Sequence, residues 1–76
     1  MEEDHWHDAR GRTNMDITGF GTQKGKLTVA FDHKGKRSVY VYTTQESGLC
    51  CRMDRAESIG AFFHRYVRIL PYAKVA

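Results

Sequence analysis

Two tyrosines separated by one residue, in the stretch RSVYVYTT at residues 37–44, are the first feature of this sequence that suggests chemistry. Side chains on a strand alternate between two faces, so Tyr40 and Tyr42 share one face and the valines beside them share the other. Cations lie close by in the chain, at Lys34, Lys36, Arg37 and, further on, Arg52. Exposed aromatic rings flanked by cations are how sheet-based proteins stack nucleobases and neutralise phosphates.

The hairpin that precedes the tyrosines decides which face is exposed. Asp32 suits the first position of a type I turn and Gly35 a left-handed position after it, so DHKGK predicts a three-residue loop at 33–35. That register places the valines on the core face and exposes both tyrosines. A two-residue loop at Lys34-Gly35 would shift the pairing by one residue and bury the tyrosines. We prefer the first register because it makes the core face aliphatic.

The remaining pattern predicts an α+β fold. Alternating apolar residues indicate strands in MDITGFG, KLTVAFD, the tyrosine stretch and GLCCRMD. The segment DRAESIGAFFHRYVRIL has helical spacing, with Asp54 and Glu57 as a capping-box variant, and Pro71 ends it. We therefore expect a four-stranded antiparallel β-sheet packed on one C-terminal amphipathic helix, in the order β-β-β-β-α. This element order is similar to that of single-strand nucleic-acid binders of the PUR and whirly type.

The chain divides into three parts by pattern. Residues 1–13 are charged and show no period, which predicts a flexible acidic tail. Residues 14–71 form a single α+β domain, and residues 72–76 leave as a C-terminal arm. The tail has a net charge of −2 within an overall charge of +3, so the rest of the chain carries +5. Such a basic body is expected to meet an anionic partner.

The preferred hypothesis is a small non-enzymatic protein that binds nucleic acid, in single-stranded form. Tyr40 and Tyr42 would stack on bases, and four cations would neutralise phosphates, namely Lys34, Lys36, Arg37 and Arg52. The basic helix residues His64, Arg65 and Arg68 are more typical of a solvated helix face.

The alternative hypothesis is a regulator or inhibitor, of the kind that mobile elements and viruses encode, which binds another protein. Trp6, Tyr40 and Tyr42 would then be the interface anchors, because tryptophan and tyrosine dominate binding hot spots. Under either hypothesis the predicted fold has an uncovered sheet face and a trailing arm. Both offer surfaces to a second copy of the chain, so we also expect a homodimer.

Other chemistry is not indicated. The histidines and cysteines lack the spacing of a zinc site. Catalysis is not indicated either, because Cys51 is predicted to be buried and Cys50 has no activating neighbour beyond Arg52. Adjacent cysteines are badly placed to bond to each other, so reduced thiols are expected. No cofactor motif and no signature of a small-molecule pocket is present. Because no apolar run is long enough to span a membrane, the sequence predicts a cytoplasmic protein.

Overall fold

The computed structural model describes residues 5–13, 16–23, 26–44 and 48–75. The described strands are β1 (His5–Asp8), β2 (Ile17–Gln23), β3 (Lys26–His33), β4 (Lys36–Tyr42) and β5 (Tyr72–Lys74). The helices are α1 (Leu49–Arg55) and α2 (Ile59–Phe62), and α2 continues as a π-helical segment, Phe63–Val67.

The five strands form one antiparallel sheet in the order β1-β2-β3-β4-β5, so the α+β class is confirmed. The finer prediction of four strands and one helix is wrong. The two edge strands come from segments predicted as a flexible tail and a free arm. β1 pairs with β2, and β5 pairs with β4. This pairing gives hydrogen-bond partners to the backbone N–H and C=O groups of the edge strands, and a short polar side-chain pattern does not reveal such pairing. The element order that resembled PUR and whirly proteins is therefore not the order observed. Residues 1–4 of the predicted tail lie outside the described residues.

The segment GLCCRMD, predicted as a strand, begins the helical half of the chain. Gly48 adopts φ +85° before α1, a conformation that glycine reaches at little cost. Leu49, Cys50 and Met53 then face the core together, which is a helical rather than an alternating arrangement. The alternation of apolar residues in this short run was misleading because it fits both periods.

The predicted long helix is also interrupted. Ala56 is extended, and a new helix begins after Ser58, whose hydroxyl accepts a hydrogen bond from the Ala61 N–H at 3.2 Å. Asp54 is therefore not the cap that the sequence suggested. Its carboxylate instead accepts a hydrogen bond from Arg12 at 2.8 Å, and this bond lowers the pKa of Asp54. The contact ties the loop after β1 to α1.

The turn between β3 and β4 contradicts the preferred register. Lys34 and Gly35 have φ values of 53° and 79°, which make the two-residue type I′ turn whose twist matches paired strands. Tyr42 therefore lies opposite Leu27, and Tyr40 lies opposite Val29. The tyrosines share the face that the helices cover, and the valines of β4 lie on the open face.

The core lies between that covered face and the helices. Phe20, Leu27, Val29 and Tyr42 of the sheet pack with buried residues of the helical half: Leu49, Cys50, Met53, Ile59, Phe63 and Val67. None of the described helices is long and apolar enough to span a bilayer.

Candidate functional site

A groove opens where the covered face of the sheet extends beyond the helices, at the hairpin end. Its volume is about 410 Å³, within the range of about 300–1,000 Å³ that is usual for ligand sites. Strands β3, β4 and β5, the end of the π-helical segment and the residue before β2 all contribute to it. We call it the tyrosine groove; its lining residues are Asp16, Phe31, His33, Ser38, Tyr40, Tyr42, Arg68 and Tyr72.

Aromatic rings form the floor of the tyrosine groove, and their exposure increases from Tyr42 through Tyr40 to Tyr72. Tyr42 is only 5% exposed and meets the Phe63 ring edge-on, with centroids 5.8 Å apart. Tyr40 is partly buried and contacts the Tyr72 ring at 5.6 Å. Tyr72 itself is 61% exposed. The packed rings of Tyr40 and Tyr42 thus hold the exposed Tyr72 ring in place. Each aromatic pair adds about 0.5–1.5 kcal/mol of stabilisation beyond that from burial of its surface.

Burial also changes the chemistry of Tyr42. Desolvation, reinforced by the neighbouring hydroxyls of Tyr40 and Tyr72, raises the pKa of Tyr42 to about 12. The phenol is therefore neutral at physiological pH, and it serves as an apolar wall of the groove rather than as an acid or base.

Positive charge lies on the rim of the tyrosine groove. Arg68 is exposed, and its Nη1 donates to Nδ1 of His64 at 3.2 Å, which restrains the guanidinium. Lys36 and Lys74 are exposed and share this face, because they pair with His33 and Tyr40. The rim can therefore attract an anion.

One carboxylate also lines the groove, and it is paired. Nδ1 of His33 lies 2.6 Å from Oδ2 of Asp16, so the ring N–H donates a hydrogen bond to the carboxylate. Ser38 is a diagonal neighbour of His33 on the same face. No hydrogen bond joins Ser38 to His33 among the contacts of the described residues, so the arrangement lacks the nucleophile–base contact of a hydrolase triad.

The structure brings together only part of the predicted nucleic-acid site. Tyr40 and Tyr42 line the tyrosine groove on the covered face of the sheet, and Lys36 lies on the same face, paired with His33. Lys34 lies in the turn, Arg37 is on the opposite face, and Arg52 lies on α1. The Arg52 guanidinium is 5.7 Å and 5.4 Å from the ring centroids of two helical aromatics, Phe62 and Tyr66.

Sequence reasoning missed three residues that the groove depends on. Tyr72 and Lys74 were assigned to a free arm, although their spacing of two is the signal of a strand face. Arg68 was treated as a solvated helix residue. Its position at the groove depends on where the helical segment ends, and a uniform helical pattern does not show that.

Trp6, the anchor of the alternative hypothesis, lies on the open face of the sheet. Its indole covers Gly19 so closely that a Cβ built there would lie 2.5 Å from the ring. Arg37 and Trp6 line a shallow pocket of about 250 Å³ with Asp8, Arg10 and Thr18. Trp6 and the tyrosines therefore lie on opposite faces of the sheet.

A second groove, of about 440 Å³, lies between the loop after β1 and helix α2. Its arginine, Arg12, is already paired with Asp54, and it contains no phenylalanine, tyrosine or tryptophan. It therefore offers neither a stacking surface nor an unpaired arginine, and the tyrosine groove is the better candidate.

The described residues hold no group of three or more ligands that could bind a metal ion. Both cysteines are free; Cys51 is exposed, whereas burial raises the pKa of the Cys50 thiol. Cys50 is therefore poorly suited to act as a nucleophile.

Comparison of the chain with models of known protein families, with curated proteins and with solved structures finds no match. A function is therefore inferred from the groove itself.

Proposed function

We propose that this chain is a small binding protein, not an enzyme, which binds single-stranded nucleic acid through the tyrosine groove. The observation that carries the proposal is the exposed Tyr72 ring, held on Tyr40 and Tyr42 at a groove that Arg68 also lines. Stacking on an aromatic ring together with a phosphate contact is the combination by which proteins hold unpaired nucleotides.

The geometry favours a single strand over a duplex. A base can stack on Tyr72 only when its own face is free, and bases within a duplex are stacked on each other. The groove is also too small for a double helix but suits one unpaired nucleotide. Lys36 and Lys74, on the same face, would contact the phosphates on either side of that nucleotide.

The two free thiols support a reducing compartment, so we propose a cytoplasmic location.

The test is a fluorescence anisotropy titration of the purified chain with labelled DNA and RNA of about 12 nucleotides, single-stranded and duplex. We expect the single strands to bind more tightly, with an affinity that falls between about 50 and 200 mM salt. Absence of binding at low salt, or preference for duplex, would contradict the proposal.

Matched variants locate the site. Tyr72→Ala should weaken binding about tenfold or more, since one stacked base contributes about 1–3 kcal/mol. Tyr66→Ala is the control, because Tyr66 is 40% exposed but lies away from the groove. Arg68→Gln should reduce the salt slope by about one, whereas Arg65→Gln should not. Equal losses in Tyr72→Ala and Tyr66→Ala would place binding elsewhere.

A further inference from the structure

The open face of the sheet is apolar and nearly flat. One row of paired residues crosses all five strands on this face: Trp6, Gly21, Thr28, Val41 and Ala73. Ala30 and Val39 pair in the next row, and Val75 lies beside them because its N–H donates to the Val39 carbonyl at 2.8 Å. Except for Trp6, no side chain of these rows is larger than valine.

This surface is accessible at its two sides. Trp6 is 48% exposed, Val75 is 59% exposed, and the two valines of β4 are partly exposed, whereas the small residues between them, Gly21, Thr28 and Ala30, are buried. Every described helix packs on the other face of the sheet. No described helix covers this face, and its exposed apolar side chains are Trp6 at one edge and, at the other, the valines of β4 with Ala73 of β5 and Val75 after it.

We propose that a second copy of this chain covers the open face, so that two sheets pack face to face. The charges around the apolar rows favour this occupant. Asp8 and Arg10 lie beside Trp6, while Asp32 and Arg37 are paired at the hairpin end. A rim with both signs can complement itself across a twofold axis, whereas a partner with charge of one sign would meet repulsion from half of it.

The dimensions indicate a weak dimer. Five strands about 4.8 Å apart and between three and eight residues long give a flat area of at most about 450 Å² per copy. Stable interfaces bury about 800 Å² per partner, so a dissociation constant in the micromolar range or above is expected. Small side chains on a flat face also allow two sheets to pack at the usual separation of about 10 Å.

The chain carries a built-in reporter, because Trp6 is its only tryptophan. Sedimentation of the purified protein from about 1 µM to 1 mM should show the mass rise from 8.8 kDa towards twice that value. Acrylamide quenching of Trp6 over the same range should fall about twofold as the face is covered. A mass of 8.8 kDa throughout would overturn the proposal and leave the face to a different protein.

Charge substitutions test the location. Val75→Glu and Val39→Lys should each weaken association at least tenfold. Ile69→Glu is the matched control, since Ile69 is apolar and 76% exposed but lies beyond the helical segment. Association that survives both open-face variants, or a dimer in which Trp6 quenching does not change, would refute the interface. Val75 lies outside the strands, so its variant should fold even if Val39→Lys does not. No oligonucleotide is present, so the result is independent of the tyrosine groove.

Discussion

Strand β4 presents an aromatic face and an aliphatic face, and the described helices pack only on the aromatic one. There Tyr42 is buried against Phe63 and Tyr40 is partly buried, whereas neither Val39 nor Val41 on the other face is fully buried. A tyrosine ring offers more apolar surface than a valine, so covering the aromatic face removes more surface from water. The comparison shows that the number of apolar residues on a face is a poor guide to the core, since their size also matters.

The two faces also differ in the partner that we propose for each. The aromatic face ends in a groove with a charged rim, which suits a nucleotide. The aliphatic face is flat and apolar with charges of both signs around it, which suits a second protein surface. A single short strand, β5, contributes to both, because Tyr72 and Lys74 are on the groove side and Ala73 lies between them on the open side.

The largest expected effect is on stability. Tyr42→Ala removes a buried ring and should lower the free energy of unfolding by about 3–5 kcal/mol. Val41→Ala, one residue away on the open face, should cost less than about 1 kcal/mol. Urea unfolding at low micromolar concentration, where the monomer prevails, compares the two. Equal losses would mean that the valine face is also part of a core.

The turn between β3 and β4 gives a smaller effect and tests the register itself. Lys34 is a non-glycine residue with φ 53°, so Lys34→Asn should raise the free energy of unfolding by up to about 1 kcal/mol. Gly35→Ala should lower it by about 1–2 kcal/mol, because Gly35 has φ 79°. In a three-residue loop only Gly35 would need a positive φ. If Lys34→Asn left the free energy of unfolding unchanged while Gly35→Ala lowered it, the result would favour the register with the three-residue loop.

Another effect appears only in alkali. Because the pKa of Tyr42 is raised from 10.0 to about 12, the unfolded chain loses this proton before the folded chain does. The stabilisation is complete below pH 10 and is lost as the pH rises towards about 12. Absorbance at alkaline pH should show a late tyrosine titration that Tyr42→Phe and denaturant both remove. A late step that persists in Tyr42→Phe would show that another tyrosine is the buried one.

The proposed functions add a further contrast between the faces. Tyr72→Ala should weaken oligonucleotide binding without changing the mass of the protein at high concentration. Val75→Glu should do the reverse. If either variant impaired both properties, the two faces would be coupled through β5, which both of them share.

Several features of the fold could be predicted from the residues alone. The alternation in KLTVAFD and RSVYVYTT predicted β3, β4 and the hairpin between them, because a period of two is a local property of strands. The helical spacing around Phe62 and Phe63 predicted a helix near the C-terminus. Tyr40 and Tyr42 were correctly predicted to share a face, since residues two apart always do on a regular strand.

Which face they share was decided only by tertiary structure. A shift of one residue keeps the alternation and exchanges the faces, so the sequence pattern fits both registers equally. The choice depends on the ring of Phe63, which comes from a distant part of the chain and packs on the tyrosine side together with Phe31 of the neighbouring strand. The edge strands β1 and β5 likewise form because β2 and β4 offer them backbone partners. The sequence by itself thus determined the central strands, the C-terminal helical segment and their periods. Long-range pairing and burial decided the edge strands, the first helix and which residues became core, groove and open face.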